Sequence, residues 1–450
     1  MKIVIIGNGF DLANGLLTRY EDFYNYKVRL LEDKYKVIRD VLSNLVIKSK
    51  SRDKFTLYKS IRNTIYFGPT NNERSNSRHN LEESLNHDIE LVLNTLKEII
   101  ENLIDDNLTF WDIYFWGKKE LFGKHLEHRW CDIEDKIEKF ISENHNNDEL
   151  AFIFSLKSSH ELIKTKIPFT DIDNNISDDY FENILYACDK FLRFKLVISI
   201  FMSIKKDEDI YLYLFNELRK FEKSFGMYIS SVFSNAFKND IYDTYISNFL
   251  KLIDYNNSTQ PFIINFNYTS LKRARGVKKA YENNYEHESA KITCVFTEIN
   301  IHGTYDKKCI FGIDQSDINS ISDQYIFTKT YRKLKEQEDI VNIGLPKKCS
   351  DIIFYGHSLS KADYSYFQSI FDFYDIYHSN IKLIFIYSLY GEESQYESKK
   401  SEYLNAIIKL ISDYGKTMDN KNHGKNLIHK LIIEDRLTIK EIPLQKISYS

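Results

Sequence analysis

Four short polar segments, each following an apolar run, carry the residue types from which a small-molecule site is made. They are Gly7-Asn8-Gly9, Asn265-Phe266-Asn267-Tyr268-Thr269, His302-Gly303 and Gly356-His357-Ser358-Leu359-Ser360. A glycine turn at a helix start suits a phosphate or a ribose, because backbone N–H groups face the ligand and no bulky side chain bars its approach. An imidazole can exchange a proton near neutral pH. Each segment also has a plainer reading. His-Gly after a strand can be a turn with a hydrogen-bonded ring, and Asn-x-Asn can be local turn chemistry. Ser360-Lys361-Ala362-Asp363 fits a Ser-x-x-Asp helix cap. The first glycine pair does not meet the dinucleotide fingerprint, since Leu12 stands where its third glycine would be. The shared setting says more than any one motif: in a parallel sheet all these strand ends lie on one edge, the edge where ligands bind.

The elements that must position these segments follow from the apolar pattern. The run Ile3-Val4-Ile5-Ile6 breaks at Gly7, with a helix expected from about Asp11. Further strands are expected at 262–266, 292–301, 309–313, 351–355, 381–387 and, as an edge strand, 437–442. Between the first strand and the rest the chain reads as helical. Tyr20, Phe23, Tyr24 and Tyr26 crowd one face, followed by Val28, Leu31, Val37, Val41 and Leu45. Amphipathic or apolar helices are expected over 85–103, 129–141, 180–204 and 209–233, with a loop at 68–80 and a blurred pattern around Trp111 and Trp116. The expected fold class is α/β, a Rossmann-like parallel sheet with a large helical insertion. Residues 1–27 and 256–450 form a discontinuous α/β nucleotide-binding domain, and 28–255 the insertion.

Composition narrows the function classes. The 450-residue chain is 43% hydrophobic and 28% charged, with a net charge of −4, so it is globular and no long basic run marks a dedicated nucleic-acid binder. With 32 Tyr, 31 Phe and 5 Pro, long regular elements with aromatic packing are expected. The five cysteines, Cys131, Cys188, Cys294, Cys309 and Cys349, contain no Cys-x-x-Cys pair, so neither a zinc knuckle nor a disulfide framework is suggested. The first apolar run is too short for a signal peptide, and the segment 196–204 is far below the ~20 residues of a membrane span. The expected location is the cytoplasm, with no membrane partner.

The pieces recur in a recognisable order. Ile6-Gly7-Asn8-Gly9-Phe10-Asp11-Leu12, with Gly15, Thr18, Tyr20 and Phe23 after it, resembles the opening of the AbiH-type bacteriophage abortive infection proteins. Trp130-x-Asp132-x-Glu134, the Asn265 to Thr269 block, His302-Gly303, Phe311-Gly312 and Gly356-His357-Ser358-Leu359 resemble that family's later blocks. The family is in turn distantly similar to sirtuin-type nucleotide-binding domains, including those that consume NAD in phage defence. Gly7-Asn8-Gly9-Phe10-Asp11 with Gly15 is similar to the sirtuin Gly-Ala-Gly-x-Ser turn, and Asn267-Tyr268 to its Thr-Thr-Asn-Tyr-Asp block. His302-Gly303 is similar to the catalytic His-Gly, and Gly356 to Ser360 to the Gly-Tyr-Ser-Leu-Ser block of the defence branch.

The resemblance implies a sirtuin-like nucleotide-binding core, Asn267 and His302 as catalytic residues, and Gly7, Asn8, Gly9, Phe10, Asp11, Gly356 and Ser358 as nucleotide-binding residues. The implied reaction is hydrolysis of the glycosidic bond of NAD or a related nucleotide in an antiviral effector. Departures from the sirtuin pattern disfavour protein deacylation: Asp11 replaces a serine, the Pro-Asp-Phe-Arg run is absent, and so are the zinc-binding cysteine pairs, so no zinc is expected. Two other readings stay open. The crevice could bind nucleotide as a signal without turning it over, or Asp11, Asp132 and Glu134 could hold Mg²⁺ for a nuclease or phosphohydrolase. An NAD hydrolase must be restrained in its host, and the segment 130–141 is the expected lid, homo-oligomer contact or surface for a phage-derived trigger.

Overall fold

A computed structural model describes residues 1–48, 98, 101–103, 107–122, 132–142, 209–238, 261–271, 296–314, 318–335, 344–389 and 393–442. The loop expected at 68–80, the helix at 180–204, most of the helix at 85–103 and residues Trp130 and Cys131 lie outside the described residues. By internal contacts the chain divides into two units, one of residues 1–25 with 222–450 and the other of residues 26–221. No helix among the described residues is long and apolar enough to cross a membrane.

The first unit is built on a six-stranded sheet of β1 (Lys2–Ile6), β2 (Phe262–Asn265), β3 (Thr297–Asn300), β4 (Asp351–Tyr355), β5 (Lys382–Tyr387) and β6 (Leu437–Glu441), in the order β3-β2-β1-β4-β5-β6. Every pairing is parallel. The strand order is that of the Rossmann doubly wound fold, and it reverses between β1 and β4. β1 is buried on both faces: Ile3 and Ile5 join one core cluster, Val4 and Ile6 the other. This is why its sequence is a continuous apolar run rather than an alternating one. The first cluster takes in Phe367, Ile370 and Phe371 of α7 (Tyr364–Phe373), Ile407 and Leu410 of α8 (Tyr396–Thr417) and Leu427 of α9 (Lys421–Ile433). The second takes in Phe10 of α1 (Asn8–Ala13) and Phe233 and Ala236 of α5 (Ile210–Lys238). Here the division differs from the sequence boundary at 255/256, because these residues of α5 pack into the sheet unit.

Two expected elements differ. The run 309–313 forms no strand; it makes isolated bridges, Gly303 with Cys309 and Ile313 with Thr328. Its Phe311 is instead clamped by side chains, with its N–H donated to Glu222 (2.7 Å) and its carbonyl accepting from Arg332 (2.9 Å). The helix after β1 begins at Asn8, not Asp11, and is only six residues long.

The described part of the second unit is helical: α2 (Tyr20–Lys48), whose first residues belong to the sheet unit, α3 (Phe110–Phe122), α4 (Asp132–Ser142) and the first part of α5. α3 had no legible period in the sequence because Phe110, Trp111, Ile113, Phe115 and Trp116 are all buried, so over 110–117 no polar stripe marks an outer face. It starts with a reciprocal capping arrangement. Asp112 accepts from the N–H and hydroxyl of Thr109, both at 2.7 Å, and the Thr109 hydroxyl accepts from the N–H of Asp112 (3.2 Å).

Candidate functional site

The carboxyl ends of β1 and β4, at the reversal of strand order, are where a doubly wound sheet binds its ligands. Both carry the glycines singled out in the sequence, and those glycines touch one another. The N–H of Gly7 donates to the carbonyl of Tyr355 (2.9 Å) and that of Gly9 to the carbonyl of Gly356 (2.7 Å). A Cβ on Gly7 would lie 2.4 Å from the Cα of His357, and one on Gly356, whose φ is +65°, would lie 2.3 Å from the N of Phe10. The two turns therefore need glycine to pack backbone on backbone. Their N–H groups at these points are engaged within the fold, and a six-residue helix adds little dipole.

The other residues of the opening motif are also engaged. Asn8 is clasped by Thr18, whose hydroxyl donates to its Oδ1 at 2.6 Å. Phe10 is wholly buried, its ring edge-on to Tyr355. Asp11 is buried and accepts from the Thr269 hydroxyl at 2.9 Å, which ties α1 to the end of β2 and answers how a carboxylate is tolerated there. Ser358 is exposed. Tyr20 places its hydroxyl 3.3 Å from that of Tyr268.

The end of β2 is fixed by side chains rather than by glycines. Asn265 accepts from the N–H of Asn267 (2.9 Å) and donates to the Thr269 carbonyl and to Glu298, both at 2.9 Å. Glu298 on β3 also accepts from the Ser270 hydroxyl (3.1 Å) and the Leu271 N–H (3.0 Å), while Asn300 donates to the Thr269 carbonyl (3.1 Å). Almost every polar group of this loop is thus paired. The exception is Asn267: it is 3% exposed, and neither its amide nitrogen nor its oxygen has a hydrogen-bond partner among the described residues. A buried polar group left so costs about 1–3 kcal/mol.

His302, just past β3, is buried beside this loop. Its ring meets the rings of Phe266 at 5.5 Å and Tyr268 at 5.9 Å, the two residues that flank Asn267. The sequence-predicted catalytic pair therefore falls in one neighbourhood, on the carboxyl edge. Asp363 is the residue that sequence reasoning missed. Its spacing predicts the far end of a Ser-x-x-Asp cap, yet Ser360 makes no side-chain cap bond and Asp363 is buried. Its Oδ1 lies 2.9 Å from His302 Nε2 and accepts from Lys329 Nζ at 2.7 Å, and its Oδ2 lies 3.4 Å from His357 Nε2. Burial pushes the Asp363 carboxyl up, but the Lys329 ammonium, His302 and the hydrogen bonds of both imidazoles outweigh it, and the group is held well below the usual carboxylate range. Lys329 had no signal in the sequence. It sits on α6 (Lys329–Lys335), which is anchored by the pairing of Arg332 with Glu222 (2.6 Å).

Of the acids proposed for a metal, Asp11 lies in the sheet unit and Asp132 and Glu134 lie in the stretch of the other. No group of three or more metal-ligating side chains is found among the described residues.

Neither the curated proteins nor the solved structures contain a match to this chain. The collinear motifs, now seen at successive strand ends of one parallel sheet, accord with the family comparison. A model described as bacteriophage abortive infection AbiH matches residues 3–387, and the chain belongs to the AbiH family.

Proposed function

We propose that the chain serves the abortive infection role implied by its family by hydrolysing the glycosidic bond of NAD or a related nucleotide, with Asn267 and His302 as its catalytic residues. The observation that carries this reading is the buried, unpartnered carboxamide of Asn267 in a loop where its neighbours are paired. A fold that spends this much hydrogen bonding to hold one amide unpaired is built for a ligand group, or an ordered water, to complete it. The likeness to sirtuin-type domains rests on the strand-end motifs alone, and it supplies the choice of nucleotide.

In the reaction, the bond between the ribose and the cationic nicotinamide ring breaks, and its electron pair leaves with the ring nitrogen. The ribose passes through an oxocarbenium-like state, water adds to it, and His302 takes the water proton. Asn267 orients the water or a ribose hydroxyl. Little acid assistance is needed, because the leaving group becomes neutral as it departs. On this reading the nucleotide lies at the strand-order reversal against Gly7, Asn8, Gly9 and Gly356, with Phe10 and Asp11 holding that turn from the buried side and Ser358 exposed beside it.

The test is purified full-length protein incubated with NAD, with free nicotinamide measured. Release in the wild type and at least a 10²-fold loss in a folded His302→Ala variant are expected. Equal release from both, or none from the wild type under any trigger, would refute it. Saturable binding without release would favour a nucleotide sensor.

A further inference from the structure

We infer that Asp363 is a positioning residue that holds His302 in its Nε2–H tautomer, so that Nδ1 carries the lone pair for proton uptake; that last step rests on the hydrolase reading above. An ionised carboxylate can only accept hydrogen bonds. The His302 nitrogen 2.9 Å from it, Nε2, must therefore bear the proton. In the neutral ring the remaining nitrogen, Nδ1, is then the acceptor, and the one side-chain hydrogen bond of His302 found among the described residues is that of Nε2. This is the arrangement of nucleophile-activating sites generally: a base whose second nitrogen is tied to a third group that sets its tautomer and its aim.

Three features around Asp363 argue that the arrangement is specified and not incidental. Lys329, at 2.7 Å, keeps the carboxylate charged in a buried place where it would otherwise take up a proton. His357 approaches the other oxygen, and its own tautomer is set from behind: the Leu359 N–H donates to its Nδ1 at 2.9 Å, which leaves Nε2–H to face Asp363. That N–H is aimed by Leu359 in the left-handed region (φ +57°), a conformation that crowds a leucine Cβ against the following carbonyl. The residue bears that strain where it completes the cluster. Asp363 thus links an imidazole from the end of β3 to one from the end of β4, strands separated in the sheet by β2 and β1. Phe266, whose ring lies 4.6 Å from that of His357, fills the space between the two. Among the described residues, the titratable groups facing His302 are Asp363 and Tyr268 and, through Asp363, Lys329 and His357.

The experiment uses full-length protein labelled with ¹⁵N in its histidine rings, the His302 signals being identified by their loss in His302→Ala. The expected spectrum has a downfield, exchange-protected Nε2–H and an unprotonated Nδ1 for His302 at neutral pH. Protection of that proton should vanish in the Asp363→Ala/Lys329→Met variant, which removes both buried charges together. The same variant should lose kcat for NAD by about 10²–10⁴-fold with KM within about threefold, as expected when an imidazole loses its orienting carboxylate. An Nδ1–H tautomer in the wild type, a protected Nε2–H that survives the loss of Asp363, or an effect on KM alone would overturn the inference. The wild-type spectrum decides it even if the variant does not fold. Absence of NAD turnover in the wild type would refute the hydrolase reading, while the spectrum would still decide the tautomer.

Discussion

Thr109-Phe110-Trp111-Asp112 and Ser360-Lys361-Ala362-Asp363 carry one spacing, hydroxyl-x-x-Asp, and each ends in a buried aspartate beside a buried lysine. In the helical unit the pattern does what the spacing says. Asp112 closes a cap with Thr109, Lys27 stands off at 3.6 Å, and burial, first among the influences on it, pushes the Asp112 carboxyl up despite Lys27 and Thr109. In the sheet unit the cap is not made. Lys329 comes to 2.7 Å, two imidazoles are drawn in, and the Asp363 carboxyl is held well down. One aspartate caps the start of a helix, and the other organises side chains from three separate elements. The difference lies in which donors the fold brings to the carboxylate, and local spacing does not encode that.

The largest test of this contrast is Asp112→Ala. Removing one partner of a buried pair, and the cap with it, should destabilise the helical unit by about 3–5 kcal/mol. All three tryptophans, Trp111, Trp116 and Trp130, lie within residues 26–221, so their fluorescence during urea unfolding reports this unit. The kcat of the folded fraction should be unchanged. A loss of kcat matching that of His302→Ala would erase the distinction between a capping and an organising aspartate.

Next in size is Asn267→Ala, expected to lower kcat for NAD by about 10²-fold, close to 2.7 kcal/mol, while stability holds or rises. The sign is the informative part. Truncating a paired buried amide destabilises, whereas truncating an unpaired one removes a penalty of about 1–3 kcal/mol. A thermal midpoint several degrees below wild type would mean that the carboxamide is satisfied within the fold.

How much of this was readable in the chain depends on whether the determining contacts are local. The six strands and the polar character of their ends were legible, because a strand buried on both faces shows as an apolar run and its end as a break. The neighbourhood of Asn267 and His302 followed from placing those ends on one edge. What was not legible came from contacts across the fold. The glycines at 7, 9 and 356 looked like a ligand cradle, and the structure shows them packed on each other. The apolar run at 309–313 looked like a strand, but Glu222 and Arg332 take up its backbone groups at Phe311. α3, buried on nearly every side over 110–117, had no period to read there. Lys329, 34 residues from Asp363 in sequence, offered nothing that a surface lysine would not.

Acid should separate the two aspartates without any mutation at the strand ends. Asp112 has a folded pKa above its unfolded value, so the folded state binds the proton first, and its contribution to stability grows as pH falls through the folded pKa toward about 3.8. Asp363 has a folded pKa below its unfolded value. Its contribution is fully present above the unfolded pKa and is lost as pH falls through the folded one. From neutrality down to pH of about 4, the tryptophan-detected urea midpoint of wild type should therefore gain on that of Asp112→Asn. Amide exchange in β1 and β4 should show no stability change traceable to Asp363 over the same range. A wild-type midpoint that falls relative to Asp112→Asn on acidification would reverse the sign assigned to Asp112.

The smallest effect is the most direct comparison of the two patterns. The Thr109 hydroxyl donates to Asp112 and accepts from its N–H, so Thr109→Ala should cost about 1 kcal/mol, within the ~0.5–2 kcal/mol range for lost caps. Ser360 holds the same position relative to Asp363 but makes no cap bond, so Ser360→Ala should stay within about 0.5 kcal/mol. The measurement is the urea midpoint of each alanine variant, by tryptophan fluorescence for Thr109 and by amide exchange in β4 for Ser360. A loss near 1 kcal/mol at both positions would mean that Ser360 caps after all. Asp363 would then have to divide its carboxylate between a helix start and His302, and its hold on the imidazole would weaken accordingly.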